Sequence, residues 1–452
     1  MKKIISTVAL GASILAMATV ASATEYNINF YGSSSQFFYW NDVADNFLAA
    51  PVASNGLACA DVKQDSTTKA DGIARGTNCP GLPFLTDVIY VRYSSRASAD
   101  GSRSVFGYDP DNTDACSNGY STNQYTKYTD AYRMMADETT VDWNPQTVAG
   151  SNKCVDVTLG ASDCDYESFI QKATGNDKGY LQTGTVKTFD MNANLTPGVA
   201  DGLVAHRPVV VPFAFFMNGP ANGSTLDPVT NTYTSGTGTV KNLSRVQAVN
   251  LMAGKVSNWS QFGAAFPAKK AVVCLRHAGS GTHATLDMAV MRGDMSLAMV
   301  EGWPTAFSPN KPSTYFHIGS SDLMGCVNAN GSGKYPTTTA THMAVGYADA
   351  DATALNPITK VYPYPNAVTL AYEGAMPTKV GITNGSYSFW SLPWIYENPN
   401  DVNYATLAPI QAKMMTFAAD PLNMPVGKQG VWAAASELKV IKGSDTALPA
   451  MK

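Results

Sequence analysis

The feature that most constrains this chain is a repeated pattern in which an apolar strand runs into a loop of small polar residues. It first appears at residues 26–31, where polar and apolar residues alternate, and residues 32–35 then form a small polar loop. Apolar residues follow at helical spacing from Phe37 to Leu48. Three further apolar strands run into similar loops, at residues 87–93, 155–159 and 271–275. Repeated units of this kind predict an α/β fold with mostly parallel sheets.

The middle of the chain adds three more expected elements. Residues 208–216 are continuously apolar, which is typical of a fully buried strand. Residues 218–238 are rich in Gly, Ser, Thr and Asn and predict a loose hairpin or surface insertion. Residues 243–259 have helical periodicity, with Ser244 as the expected N-cap and Gly254 as a stop signal.

The first 23 residues have the pattern of a secretory signal peptide. Lys2 and Lys3 form a basic start, residues 4–20 are apolar, and residues 21–23 (Ala-Ser-Ala) supply the small residues of a cleavage site. We therefore expect cleavage after Ala23, and a mature chain in the periplasm or secreted from the cell. No cysteine stands at the cleavage point, and no later apolar run reaches about 18 residues, so neither a lipid anchor nor a membrane anchor is expected.

The composition excludes two broad classes of protein. Of the 452 residues, 45% are hydrophobic and 15% are charged, which is too apolar for a disordered chain. This length allows two or three domains with cores of their own. The formal net charge is -4. A mildly acidic chain lacks the positive charge of a general nucleic-acid binder, so no nucleic-acid partner is expected.

The seven cysteines fit an oxidising compartment. Cys59 and Cys79 flank a polar stretch and suggest a surface loop closed by a disulfide, whereas the pairing of the other cysteines stays open. An odd number leaves at least one thiol unpaired within the chain. No CxxC pair is present, so zinc is not expected, and no cofactor is predicted. Asp109, Asp111 and Asp114 lack the spacing and the glycine of a calcium loop, so a solvated turn is favoured.

Several loops resemble those of one family of binding proteins. The resemblance lies in residues 160–163 (GASD), 243–247 (LSRVQ), 254–256 (GKV), 258–259 (NW), 276–282 (RHAGSGT), 374–378 (GAMPT) and 384–387 (NGSY). In content and order these segments look like the signatures of the phosphate-binding proteins of ABC-type phosphate importers. That family belongs to the type II periplasmic binding proteins. The resemblance runs through the framework of the whole mature chain, with longer insertions between its segments.

The resemblance implies a two-lobed α/β fold with a ligand cleft between the lobes. Two extended crossings would join the lobes, the first at residues 208–216 and the second near residues 386–396. Lobe one would comprise residues 24–210 and 388–452, and lobe two would comprise residues 211–387. The family's role implies a monomer that captures inorganic phosphate or a similar oxyanion for a membrane ABC permease. It implies no enzyme activity.

The resemblance also implies a set of ligand-binding residues: Ser35, Gln36, Phe37 through its backbone, Ser98, Asp163, Arg276, Ser280, Gly281 and Thr282. Thr68 is a rival for the position of Ser98. Two positions depart from the family pattern. Ala278 stands where the family usually has an acid that steadies the arginine, and Gln36 replaces a hydroxyl residue.

These residue types suit a dehydrated phosphate. Backbone N–H groups at helix starts and hydroxyl groups can replace lost water, and one guanidinium such as that of Arg276 adds a charge-assisted pair. Asp163 would be repelled by a bound anion unless it accepted a hydrogen bond from it. Phosphate carries a proton to donate and sulfate does not, so a carboxylate here selects a protonated tetrahedral oxyanion. Arsenate would satisfy the same requirement.

Two alternatives are weaker. A phosphatase-like enzyme would use Ser280 with His277 or His283 as nucleophile and base, but the G-x-S-x-G elbow of such hydrolases is absent. An exported adhesin or matrix protein could reuse the same fold, and the 22 tyrosines and long insertions leave room for that role. The sequence therefore predicts a phosphate-binding transport protein first.

Overall fold

The structure is a computed structural model. It describes residues 23–65, 71–106, 132–137, 152–166, 168, 176–180, 186–190, 202–227, 232–235, 240–276, 279–292, 313–317, 319–331, 338–354 and 361–452. Several predictions fall outside these residues: the signal peptide, the alternative ligand residue Thr68, the acidic loop at 109–114, and the loop positions His277 and Ala278.

Strands make up most of the regular structure. They are β1 (Glu25–Ser33), β2 (Asp61–Gln64), β3 (Asp71–Thr77), β4 (Val88–Arg96), β5 (Tyr132–Ala136), β6 (Asn152–Asp156), β7 (Leu159–Ser162), β8 (Asn176–Tyr180), β9 (Val186–Asp190), β10 (Val204–His206), β11 (Val209–Asn218), β12 (Ser224–Asp227), β13 (Thr232–Ser235), β14 (Asn242–Leu243), β15 (Lys270–Arg276), β16 (Ser313–His317), β17 (His342–Asp349), β18 (Ala367–Tyr372), β19 (Trp390–Ser391), β20 (Trp394–Glu397), β21 (Ala433–Ala434), β22 (Val440–Ile441) and β23 (Ala450–Met451).

The helices are fewer and mostly short. They are α1 (Phe37–Ala49), α2 (Ser98–Phe106), α3 (Arg245–Met252), α4 (Gly281–Thr285), which continues into a π-helical turn (Leu286–Met291), α5 (Ser320–Ala329), α6 (Lys379–Thr383) and α7 (Tyr404–Ala418). Among the described residues, no helix has both the length and the apolar character needed to cross a membrane.

The first sheet has the strand order β10-β20-β7-β1-β4-β3-β2. Its centre is parallel, because β1 pairs in parallel with both β4 and β7. Parallel neighbours end at the same edge of a sheet, so the loops after these three strands lie side by side. Those loops carry the predicted ligand residues 35–37, Ser98 and Asp163.

The second sheet has the strand order β14-β18-β11-β17-β15-β16, and the short strands β19 and β21 also pair with β11. Strand β15 runs parallel to both β16 and β17. The register pairs Arg276, at the end of β15, with His317, at the end of β16. The fully buried strand β11 confirms the expectation for residues 208–216.

The α/β fold is confirmed, but the expectation of mostly parallel sheets is wrong. In the first sheet, β20 pairs antiparallel with β7 and β10, and β3 pairs antiparallel with β2 and β4. In the second, β11 pairs antiparallel with β17 and β18. Antiparallel strands lie beside the parallel strands at the centre of each sheet. They reach these positions through short connections or from the other sheet.

Two predicted elements have different bounds in the structure. The run 155–159 is split between β6 and β7 because Thr158 leaves the strand path to bond with Asn29 of β1. The predicted helix 243–259 ends at Met252, and Gly254 follows with a φ of 65°. Ser244 does cap this helix and forms a capping box with Gln247.

Among the described strands, the chain passes between the two large sheets three times, between β10 and β11, between β19 and β20, and between β20 and β21. The C-terminal region then contacts both, since α7 packs on β1 and β21 pairs with β11. The predicted division into lobes at residues 210–211 and 387–388 stays a prediction.

The sequence predicted one of the disulfides and left the pairing of the other cysteines open. The expected link between Cys59 and Cys79 is present. A second link joins Cys274 of β15 to Cys326 of α5. Cys154 is also disulfide-bonded, and Cys164 is a buried free thiol, as the odd number of cysteines required.

Candidate functional site

The loop after β1 surrounds one oxygen of the Asp163 carboxylate. Oδ1 of Asp163 accepts hydrogen bonds from the hydroxyls of Ser33 and Ser35 and, at 3.1 Å, from Nε2 of Gln36. All four side chains are buried. Within the described part of the chain these donors all reach Oδ1, which leaves Oδ2 available to a ligand.

The loop after β4 completes this half of the site. The backbone N–H of Asp163 donates to the Ser98 hydroxyl at 3.2 Å. Ser98 begins α2 and is itself buried. The loops after three neighbouring strands of the first sheet therefore meet around Asp163, as their parallel arrangement requires.

The loop after β15 of the second sheet approaches the same point. The N–H of Ala99 donates to the carbonyl of Gly279 at 3.3 Å. Gly281 packs so closely that a Cβ atom placed on it would lie 2.1 Å from Ser98 Oγ and 2.8 Å from Asp163 Cβ. Only glycine allows this approach between the loops of the two sheets.

Arg276 ends β15 and is 1% exposed. Its Nη1 donates to Ser320 Oγ at 2.7 Å and reaches Ser34 Oγ at 3.5 Å. Its backbone N–H donates to the Tyr347 hydroxyl at 3.0 Å. The guanidinium thus lies between the loop after β1 and the start of α5.

The residues after Arg276 form the short helix α4. Ser280 caps it, because its hydroxyl accepts from the backbone N–H of His283. Gly281 and Thr282 form its first turn and are buried. N–H groups in a first turn have no partner within their helix, so they are potential donors to an anion.

Burial sets the electrostatics of the site. Desolvation raises the pKa of Asp163, against the hydrogen bonds from Ser33, Ser35 and Gln36 and the charge of Arg276. At the end of β17, desolvation and then the charges of Asp351 and Asp163 raise the pKa of Asp349 to about 7.

His317 next to Arg276 is the third perturbed group of the site. Burial, and then the positive charge of Arg276, lower its pKa to about 3. Its imidazole is therefore neutral, and the positive charge beside it is that of the Arg276 guanidinium.

The structure brings the predicted residues Ser35, Gln36, Ser98, Asp163, Arg276, Ser280, Gly281 and Thr282 to one sheet edge or to the loop that faces it. Phe37 begins α1, and its ring contacts those of Phe38 and Tyr93. A ligand role for its backbone stays a prediction, as do the ligand roles of the other residues.

Sequence reasoning missed four residues of this cluster: Ser33, Ser34, Ser320 and Asp349. Ser33 and Ser34 belong to the loop already chosen. Ser320 follows strand β16 and begins a helix, so the same strand–loop–helix pattern could have identified it. Asp349 ends a strand with no polar loop, and nothing in the sequence marks it.

One group of possible metal ligands occurs among the described residues, namely Cys274, His317 and Cys326. The two cysteines are joined in a disulfide. Because zinc and similar metals bind thiolates, the oxidised pair cannot serve as ligands.

The hydroxyl of Ser280 is not arranged for catalysis with His283. It contacts the backbone N–H of His283, whereas Nδ1 of that imidazole contacts the Tyr347 hydroxyl. The ring would have to face the hydroxyl to act as its general base.

No family model matches the chain, and no curated protein matches it. Several solved structures are similar to it. A DING protein is 12% identical over 90% of this chain and 90% of its own, with a TM-score of 0.45. A phosphate-binding protein from Stenotrophomonas maltophilia is 12% identical, with coverages of 88% and 83% and a TM-score of 0.38. PstS from Borrelia burgdorferi is 11% identical, with coverages of 86% and 92% and a TM-score of 0.34.

Proposed function

We propose that this chain is an exported binding protein that captures phosphate, a protonated tetrahedral oxyanion, for an ABC importer. It would act as a monomer in the periplasm or after secretion, and a membrane permease would receive the ligand. The observation that carries the proposal is the buried carboxylate of Asp163: its donors among the described residues all reach one oxygen, and Arg276 lies in the same cluster.

The donor set supports an anion rather than a neutral solute. Arg276 supplies the positive charge, and the hydroxyls of Ser34 and Ser98, which accept hydrogen bonds from Arg276 and from the Asp163 N–H, keep their own protons to donate. Asp163 supplies the opposite chemistry, since its free oxygen can only accept. An anion that carries a proton can accept hydrogen bonds from these donors and donate one to Asp163. An anion without a proton would leave the buried carboxylate beside a like charge with no hydrogen bond between them.

The first test replaces Asp163 by Asn, which keeps the shape and removes the charge. We expect the preference for phosphate over sulfate to fall roughly tenfold to a hundredfold, because a buried unmatched acceptor costs about 1–3 kcal/mol. Competition calorimetry with phosphate, arsenate, sulfate and molybdate measures this preference. An unchanged phosphate-to-sulfate ratio would remove Asp163 from the ligand site.

The second test replaces Arg276 by Ala, which should abolish tight binding of every oxyanion. Submicromolar phosphate affinity in this variant would mean that the ligand binds elsewhere.

The wild-type protein should also melt at a higher temperature in phosphate, by mass action. Release of phosphate from a chromogenic ester by the wild type, with loss of turnover in the Arg276 variant, would instead support a phosphatase. An adhesin would give none of these responses.

A further inference from the structure

Among the described residues, the guanidinium of Arg276 donates hydrogen bonds to hydroxyl groups and to no carboxylate. Its Nη1 donates to Ser320 at 2.7 Å and to Ser34 at the longer distance of 3.5 Å. Its Nε is buried and finds no hydrogen-bond acceptor among the described residues. Ser320 therefore makes the shortest contact that fixes the direction of this side chain.

We propose that Ser320 is the positioning residue of the anion site, and that the Cys274–Cys326 disulfide keeps Ser320 in place. Ser320 would orient the Arg276 guanidinium before the ligand arrives. This inference rests on the proposed function, since it concerns how the same site achieves its affinity.

The disulfide lies where it can fix the distance between the two residues. Strand β15 ends at Arg276, and Cys274 stands two residues earlier, on the same face of the strand. Helix α5 begins at Ser320, and Cys326 lies on the same helix, fewer than two turns further on. The helix also packs against β15. Because this covalent link lies close to both residues, it restricts how far the Arg276 guanidinium and the Ser320 hydroxyl can move apart.

A hydroxyl partner suits an arginine that must bind an anion. A carboxylate partner would neutralise much of the guanidinium charge, whereas the Ser320 hydroxyl directs it and leaves the charge for the ligand. His317, beside Arg276 in the register, is neutral and does not compete for the anion as a second cation. An arginine already ordered in the free protein loses less side-chain freedom on binding.

The test measures phosphate affinity by calorimetry in two pairs of variants. Ser320→Ala should weaken binding roughly tenfold to a hundredfold, the range expected for a hydrogen bond to a charged group, while Ser320→Thr retains the hydroxyl and the affinity. Cys274→Ala with Cys326→Ala should weaken binding in the same direction. Cys59→Ala with Cys79→Ala removes the disulfide of the first sheet and should leave affinity unchanged. A Ser320→Ala affinity within twofold of the wild type would overturn the proposal.

A second readout does not depend on phosphate. Nitrogen-15 NMR of the arginine side chains, assigned with Arg276→Lys, reports how freely the Arg276 guanidinium rotates. We expect hindered rotation in the wild type and free rotation in Ser320→Ala, at an unchanged melting temperature. Identical Arg276 signals in the two proteins would overturn the positioning role whatever the ligand is. If the signals change but the wild type binds no phosphate, the proposed function fails and the positioning role stands.

Discussion

Asp349 shows how strongly a single buried carboxyl can be perturbed beside this site. Asp349 is half-buried at the end of β17, but its Oδ1 is buried and has no hydrogen-bond partner among the described residues. Desolvation is the main cause of its raised pKa, and the charges of Asp351 and Asp163 act in the same direction. Lys428 and Arg276 oppose the shift without cancelling it. Such a group makes the free energy of unfolding depend on pH.

The direction of this pH dependence follows from the number of protons that the folded and unfolded states bind. The folded pKa of Asp349 is about 7 and its ordinary value is 3.8, so between these values the folded state holds a proton that the unfolded state has lost. This residue's contribution to stability therefore falls as pH rises through that window, by up to about 1.4 kcal/mol per pH unit. We expect Asp349→Asn, which cannot ionise, to gain stability over the wild type as pH rises from 5 to 8, measured by urea unfolding.

The matched control is Asp351→Asn. Asp351 pairs with Lys428 and accepts from Nε1 of Trp432 at 3.2 Å, so its loss should destabilise the fold at both pH values. A pH-independent difference between Asp349→Asn and the wild type would show that Asp349 is ionised in the folded protein.

At the scale of elements, the site depends on how closely α4 approaches α2. Gly281 begins α4 and lies against Ser98, the first residue of α2, and against Asp163 after β7. A larger residue would push the loop of the second sheet away from both loops of the first. The distance between the elements, rather than any one hydrogen bond, is the constraint here.

Gly281→Ala should therefore weaken phosphate binding at least tenfold, because its Cβ would lie 2.1 Å from Ser98 Oγ and one element must shift. Calorimetry measures the affinity, and thermal unfolding checks that the variant still folds. Gly427→Ala is the control, since nothing lies within 4 Å of a Cβ placed there. Equal affinities for the two variants would mean that the loops separate without cost to the site.

The sequence predicted the elements whose own residues carry a signal, such as apolar periodicity or a capping residue. It missed the features that depend on contacts with residues far away in the sequence. Strand β11, helix α1 and the Ser244 cap follow from apolar periodicity and capping chemistry. The break at Thr158 could not be predicted, because its partner Asn29 is remote in sequence. Likewise, the family resemblance of residues 276–282 pointed to Arg276, whereas the contact between Arg276 and Ser320 depends on the pairing of β15 and β16.

At the scale of the whole molecule, charged side chains surround the second crossing between the sheets. Nζ of Lys442 donates to the carbonyls of Ser388 at 2.9 Å and Trp390 at 2.5 Å. Arg207, at the first crossing, donates to the carbonyl of Leu392 at 3.2 Å and pairs with Asp445. The C-terminal segment thus contacts the chain at both of these crossings.

Lys442 makes the stability of this arrangement depend on pH in the opposite direction to Asp349. Desolvation lowers its pKa from 10.5 to about 7, although Asp445 opposes the shift. Between these values the unfolded state holds the extra proton, so stability rises with pH. We expect Lys442→Gln to lose this gain, seen as a flatter pH dependence of the urea midpoint from pH 7 to 9.5. A slope equal to the wild type's would show that Lys442 stays charged when folded.

Strand β20 has a consequence for how the protein is made. It lies between β10 and β7, although it is synthesised long after both. A nascent chain that stops short of Trp394 lacks the strand that joins these two, so the N-terminal half cannot complete its hydrogen bonding during translation. Final assembly of the first sheet therefore waits until nearly the entire chain has emerged from the ribosome.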